Sequence, residues 1–197
     1  MRLPSLTCLL LIATHPMHAQ WRAMLLIGSA TSRGDARAEL DPQRPELRAD
    51  RPGSITIGVA HDAGPWRLAI DLHRTSADLT EAGTSSSVTT PDLLKAWGAG
   101  VEVGRRIAGR SDAAVLMIVA GATYDRWTFD LTDNSPRSRA AARGALEADL
   151  PIGRRWSAVI RWQATVGPSV FNANELPDGF TSRTAIRSGI GLGLSVR

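Results

Sequence analysis

Cysteine is almost missing from this 197-residue chain. The single one, Cys8, lies in an apolar stretch near the start, so nothing beyond it can form a disulfide or a thiolate metal site. Lysine is as scarce: Lys95 stands alone among 23 basic residues. The arginines are scattered among 19 acidic residues and form no stripe, so nucleic acid is not expected as a partner despite a net charge of +4 and a pI near 10.4. Past the first twenty residues no apolar run approaches the roughly 20 residues of a membrane helix, which excludes a helical membrane protein. No shift in composition marks a second domain.

The start of the chain is different in kind. Arg2, the apolar stretch Leu9 to Ala13 and the segment Met17-His18-Ala19 follow the order of a secretory signal peptide, so residues 1–19 are expected to be a leader and 20–197 one domain. Cys8 sits inside the apolar stretch and not at its end, which argues against a lipoprotein anchor.

Period-two alternation marks eight segments, near 21–31, 53–62, 65–76, 93–106, 113–129, 138–150, 155–168 and 183–197. The connections between them alternate. Those at 61–65, 108–112 and 151–154 are short and contain Gly with Pro or Asp, whereas 32–52, 77–92, 130–137 and 169–182 are long and polar. This rhythm predicts an all-β, closed up-and-down antiparallel transmembrane β-barrel of about eight strands, with short periplasmic turns and long extracellular loops. The Ala-rich stretch 138–150 also has good helix propensity; a helix there would leave an odd number of strands and break the alternation.

Alternation alone does not say which face is inside. The apolar face of 65–76 carries Trp66, Leu68, Ile70 and Leu72; the other face carries Arg67, Asp71 and His73. A mid-membrane arginine facing lipid costs about 2–4 kcal/mol, so the charged set Arg67, Asp71, His73, Glu102, Arg143, Glu147, Asp149, Arg161 and Arg187 is expected in the lumen. Glu147 and Arg161 flank one short turn and are expected to pair. Trp21, Trp66 and Trp156 begin their strands, while Trp97, Trp127 and Phe171 fall near the opposite rim; these six are expected to form two aromatic girdles.

The rhythm of strand, turn and loop, and the closing run Ile190-Gly191-Leu192-Gly193-Leu194-Ser195-Val196-Arg197, resemble the OmpA/OmpX-type eight-stranded outer-membrane proteins. The chain departs from their pattern in ending on Arg197 and not on an aromatic residue. The resemblance implies a bacterial outer-membrane location, with outer-membrane lipid and the assembly machinery as partners and an unidentified partner for the loops. It also brings in lipid-modifying enzymes that use His with Ser or an acid at the outer rim; the nearest candidates are His73, Ser76, Asp78 and Glu81.

Eight strands leave a bore just wide enough for side chains to fill, so a charge network and no wide pore is expected. The glycines of the last strand are read as room for long neighbouring side chains. No cofactor, metal or catalytic residue is expected, and the acidic and basic residues of 32–52 read as a solvated loop. Two rivals remain: a soluble lipocalin-like barrel binding an apolar ligand with its faces inverted, and the lipid-modifying enzyme.

Overall fold

A computed structural model describes residues 20–38, 45–83, 86–110, 113–129, 136–172 and 176–197. The expected leader, residues 1–19, lies outside them. Ten strands form one antiparallel sheet: β1 (Gln20–Arg33), β2 (Ala36–Ala38), β3 (Glu46–Ala63), β4 (Trp66–Ala82), β5 (Ser87–Gly109), β6 (Val115–Phe129), β7 (Arg137–Pro151), β8 (Trp156–Pro168), β9 (Phe180–Ser182) and β10 (Thr184–Val196). Eight of them close into a ring, because β1 pairs with both β10 and β3. The stretch 138–150 is strand β7: its inward and outward residues alternate against β6 and β8, and that burial outweighs its helix propensity.

The registers fix the geometry of the ring. Outward from Trp66 the partners run Arg105, Ile118, Leu146, Trp162, Ile190, Ser29 and Gly53, and the circuit returns to β4 at Ser76, ten residues farther along the same strand. Such a stagger over eight strands implies a tilt of roughly 40–45° to the barrel axis. The turn between β3 and β4 is tight, with Gly64 at a φ of 61° and Pro65 after it.

Inside and outside follow the alternation. Leu68, Ile70 and Leu72 of β4 are exposed, as are Ile55, Ile57 and Val59 of β3, whereas Arg67, Asp71 and His73 are buried. The apolar belt therefore faces outward and the charges inward. An inverted, lipocalin-like barrel would need the reverse and is excluded.

The strands run farther on the long-loop side than the alternation indicates. β3, β4 and β5 have 18, 17 and 23 residues, well beyond the roughly 9–11 that span a bilayer. Much of 32–52 and 77–92 is thus strand and not solvated loop. Asp35 is fully buried, accepting hydrogen bonds from Ser32 Oγ at 2.9 Å and Ala49 N at 3.1 Å. Glu46 accepts from Gly34 N at 3.0 Å and Arg37 Nη2 at 3.2 Å. Burial pushes its pKa up, but these bonds and the charges of Arg37 and Arg48 outweigh that and hold it below the ordinary 4.5.

Candidate functional site

Among the described residues the lumen concentrates the ionisable groups away from solvent, and every strand of the ring contributes a side chain to it. At the inner end Arg22 of β1 donates to Asp62 of β3 (3.0 Å), to Ser195 of β10 (3.3 Å) and to Asp149 of β7. Arg67 of β4 donates from Nε to Asp62 (2.7 Å), and from its two terminal nitrogens to Asp149 (2.8 Å) and Glu147. Arg161 of β8 donates to Glu147 at 3.3 Å, its direct partner in register, and forks onto both oxygens of Glu102. Arg143 Nη1 bridges Glu102 (2.8 Å) and Asp71 (2.9 Å). His73 completes the ladder, with Nδ1 2.8 Å from Asp71 and Nε2 2.7 Å from Asp125.

This ladder is continuous from Asp62 at the inner mouth to Asp125 toward the outer one. Most bonds cross the bore and do not follow the sheet: Arg67 and Glu147 belong to strands separated by two others. Guanidinium groups suit this, because a rigid fork of donors can serve two or three carboxylates at once. His73 has a carboxylate oxygen on each ring nitrogen.

Glycine makes the crossing possible at β5. A Cβ at Gly98 would fall on His73 Nε2 and Asp125 Oδ1, and one at Gly100 on Asp71 Oδ2. The glycines of the last strand act differently. A Cβ at Gly189 or Gly193 would meet the backbone oxygens of Ser29 and Leu25, so these two allow a close approach of β1 and do not make room for arginines.

Apolar side chains fill the rest. Met24, Leu26, Ala60, Ala69 and Val159 pack on one side, and Val115, Met117, Val119 and Ala145 on another. At the outer mouth Leu94, Ala96, Trp127, Phe129, Val170 and Phe171 form a cap, with the Phe129 and Phe171 rings 5.6 Å apart. Between cap and ladder lies a cavity of about 70 Å³ lined by His73, Thr123, Asp125, Trp127, Arg143 and Arg187 among others.

The cap corrects the girdle expectation for Trp127 and Phe171. Trp127 is 1% exposed and Phe171 7%, both turned into the lumen mouth and away from lipid. Trp127 sits at an even step from Asp125 on the inward row, so its nearness to the rim in sequence carries no information about its face. Trp97, by contrast, points outward, as do Trp21, Trp66 and Trp156 at the inner end. Arg187 points inward, its guanidinium 4.9 Å from the Trp127 ring and 3.8 Å from Asp35.

The reading of the sequence missed Arg22, Asp62 and Asp125. Arg22 shares its inward row with Met24 and Leu26, and with apolar residues on both faces the alternation of that strand does not tell its inward row from its outward one. The proposed rim cluster does not assemble: His73 is in the lumen, Ser76 lies on the outward row of β4, and Asp78 accepts a hydrogen bond from Asp92 N at 2.9 Å above it. Among the described residues no group of His, Cys, Asp and Glu has metal-ligand geometry.

No family model and no curated protein sequence matches this chain. Solved structures do. Neisserial surface protein A (NspA) superposes with a TM-score of 0.61 at 13% identity, covering 90% of this chain and 97% of that one. Ail, the attachment invasion locus protein of Yersinia pestis, solved with the heparin analogue sucrose octasulfate, gives 0.44 at 11% identity, over 89% and 99%. The outer membrane protease OmpT from Escherichia coli gives 0.49 at 8% identity, over 94% and 99%. With a closed ring of eight strands, an apolar belt outside and charges within, this chain has the fold of the OmpA/OmpX-type outer-membrane β-barrels.

Proposed function

We propose that this barrel has a structural or surface-interaction role in the outer membrane and is not a diffusion pore. The observation that supports this is the filled bore: a ladder of ion pairs tied to all eight strands, closed above by an apolar cap. A solute would have to part buried ion pairs, each of which is costly to break from one side. What the barrel offers to the outside is the extension of β3, β4 and β5 beyond the belt, with β2 and β9 beside it. Its partners in this reading are the lipid around the belt, the machinery that inserts it, and a binder of the outer loops.

Planar-bilayer recording on the refolded full chain tests the reading. Steady conductance steps of porin size would refute it, and a silent bilayer after verified insertion is the expected result. Cell fractionation with boiled and unboiled gel samples checks insertion: a folded barrel migrates differently before heating.

A further inference from the structure

Buried donors normally find acceptors, yet a cluster beneath the cap does not. Trp127 Nε1, Thr123 Oγ1 and two nitrogens of Arg187, Nε and Nη2, are buried and have no hydrogen-bond partner among the described residues. The three residues come from β6 and β10 and line the same cavity of about 70 Å³ between cap and ladder. An indole or a guanidinium can only donate, and a hydroxyl can donate as well. The set therefore calls for an acceptor.

The nearby carboxylates do not supply it. Asp35 Oδ1 comes within 3.8 Å of Arg187 Nη2, outside hydrogen-bonding distance, while Ser32 Oγ and Ala49 N hold its other oxygen in place. Asp125 is the acid among the lining residues, and its Oδ1 is engaged by His73 Nε2 at 2.7 Å. Arg143, which also lines the cavity, is turned to Asp71 and Glu102. Elsewhere the wall is mostly hydroxyl and amide, from Ser54, Thr56, Thr75, Gln163 and Thr165.

The arrangement of the donors narrows the chemistry. Nε–H and one Nη2–H lie parallel along one edge of a guanidinium, the fork that receives both oxygens of a carboxylate. That edge of Arg187, the indole N–H and the hydroxyl make four donors, and a carboxylate offers about four lone-pair sites. The size agrees. A cavity of about 70 Å³ exceeds the roughly 10–15 Å³ that one water requires and is about half the ~150 Å³ that admits benzene, so an acid of about four non-hydrogen atoms fits.

We propose that this chamber binds a small monocarboxylate, with Arg187 as the fork and Trp127 and Thr123 as the remaining donors. The ladder below and the cap above make it a blind site and not a passage. The proposal goes beyond the surface role and rests on the closed barrel alone.

The test follows the indole N–H signals of the full chain labelled with nitrogen-15 tryptophan. The chain is refolded in detergent micelles with acetate already present, so that the ligand need not pass the cap, and Trp127→Phe assigns the signal. A saturating shift of the Trp127 indole at roughly millimolar acetate is expected, with the exposed Trp97 indole unmoved. R187K keeps the charge and loses the fork, and should weaken binding about tenfold; T123V should weaken it about fivefold. An unmoved Trp127 indole up to about 0.1 M acetate at constant ionic strength, a hundredfold above that range, means that the cavity takes water only and overturns the site. An equal response to chloride, or a response to inorganic phosphate and not to acetate, also overturns it, as does an unchanged affinity in R187K. If R187K does not fold, T123V and the wild-type comparison of anions decide. The boiled-versus-unboiled mobility shift is run on every sample: its absence in wild type would refute the closed barrel itself, separately from the carboxylate site.

Discussion

The lower and upper parts of the lumen fill one bore by opposite chemistry. Below, four arginines, six carboxylates and a histidine interlock across the axis; above, aromatic and aliphatic side chains close the mouth. A charge network is directional. Each guanidinium satisfies carboxylates on several strands, so it sets which strands face one another, but it tolerates the loss of no member. The apolar cap makes no such demand, and its cost of damage scales with the volume removed.

Substitutions in each region sharpen that contrast. Glu102 is the shared acceptor of Arg143 and Arg161, so Glu102→Ala takes an acceptor from two buried cations, leaving Arg143 with Asp71 and Arg161 with Glu147, and is expected to destabilise the barrel by about 3–5 kcal/mol, measured by urea unfolding in lipid vesicles. A loss below about 1 kcal/mol would mean the ladder is open to water. Leu94→Ala in the cap is expected to cost about 2–4 kcal/mol through cavity formation in the same assay. Its cost should not change with salt; a salt-dependent loss would show that the cap acts through the charges beneath it.

Gly100→Ala probes the border between the two regions. The new methyl must push Asp71 off Arg143 or shift β5, at an expected cost of about 1–3 kcal/mol. No loss at all would mean that the crossing is loosely packed.

The smallest effect lies outside the belt, at Glu46. Its folded pKa is held below 4.5, so the tie to Gly34 and Arg37 is fully present above pH 4.5 and is lost as pH falls through the lower folded value. Hydrogen exchange at the Gly34 amide, corrected for its intrinsic pH dependence, should accelerate only below about that pH. Acceleration beginning near neutrality would point to another group.

The strand count, the short and long connections and most of the inward charges could be read before any coordinates, because period-two alternation is written directly into residues such as Trp66 to His73. Where both faces of a strand are apolar, as at Met24 to Ile27, alternation no longer distinguishes the inward row, and Arg22 is hidden for that reason. Trp127 and Phe171 were assigned to the wrong side because closeness to a rim in sequence does not distinguish the outside of a mouth from its inside. The polar stretches 32–52 and 77–92 resemble loops in composition, yet pairing with neighbours extends the strands through much of them. Some of those partners are remote in sequence, as Phe180 is from Ala38.

What this sequence decides by itself is local: which residues share a face of a strand, where the chain turns, and that the charged face cannot meet lipid. These follow from the pleat and from the cost of desolvating charge, neither of which needs a partner. The closure of the ring, the ladder from Asp62 to Asp125 and the cap over the mouth depend on the stagger between strands. Stagger brings together residues such as Arg67 and Glu147, 80 positions apart, and only the tertiary structure sets it.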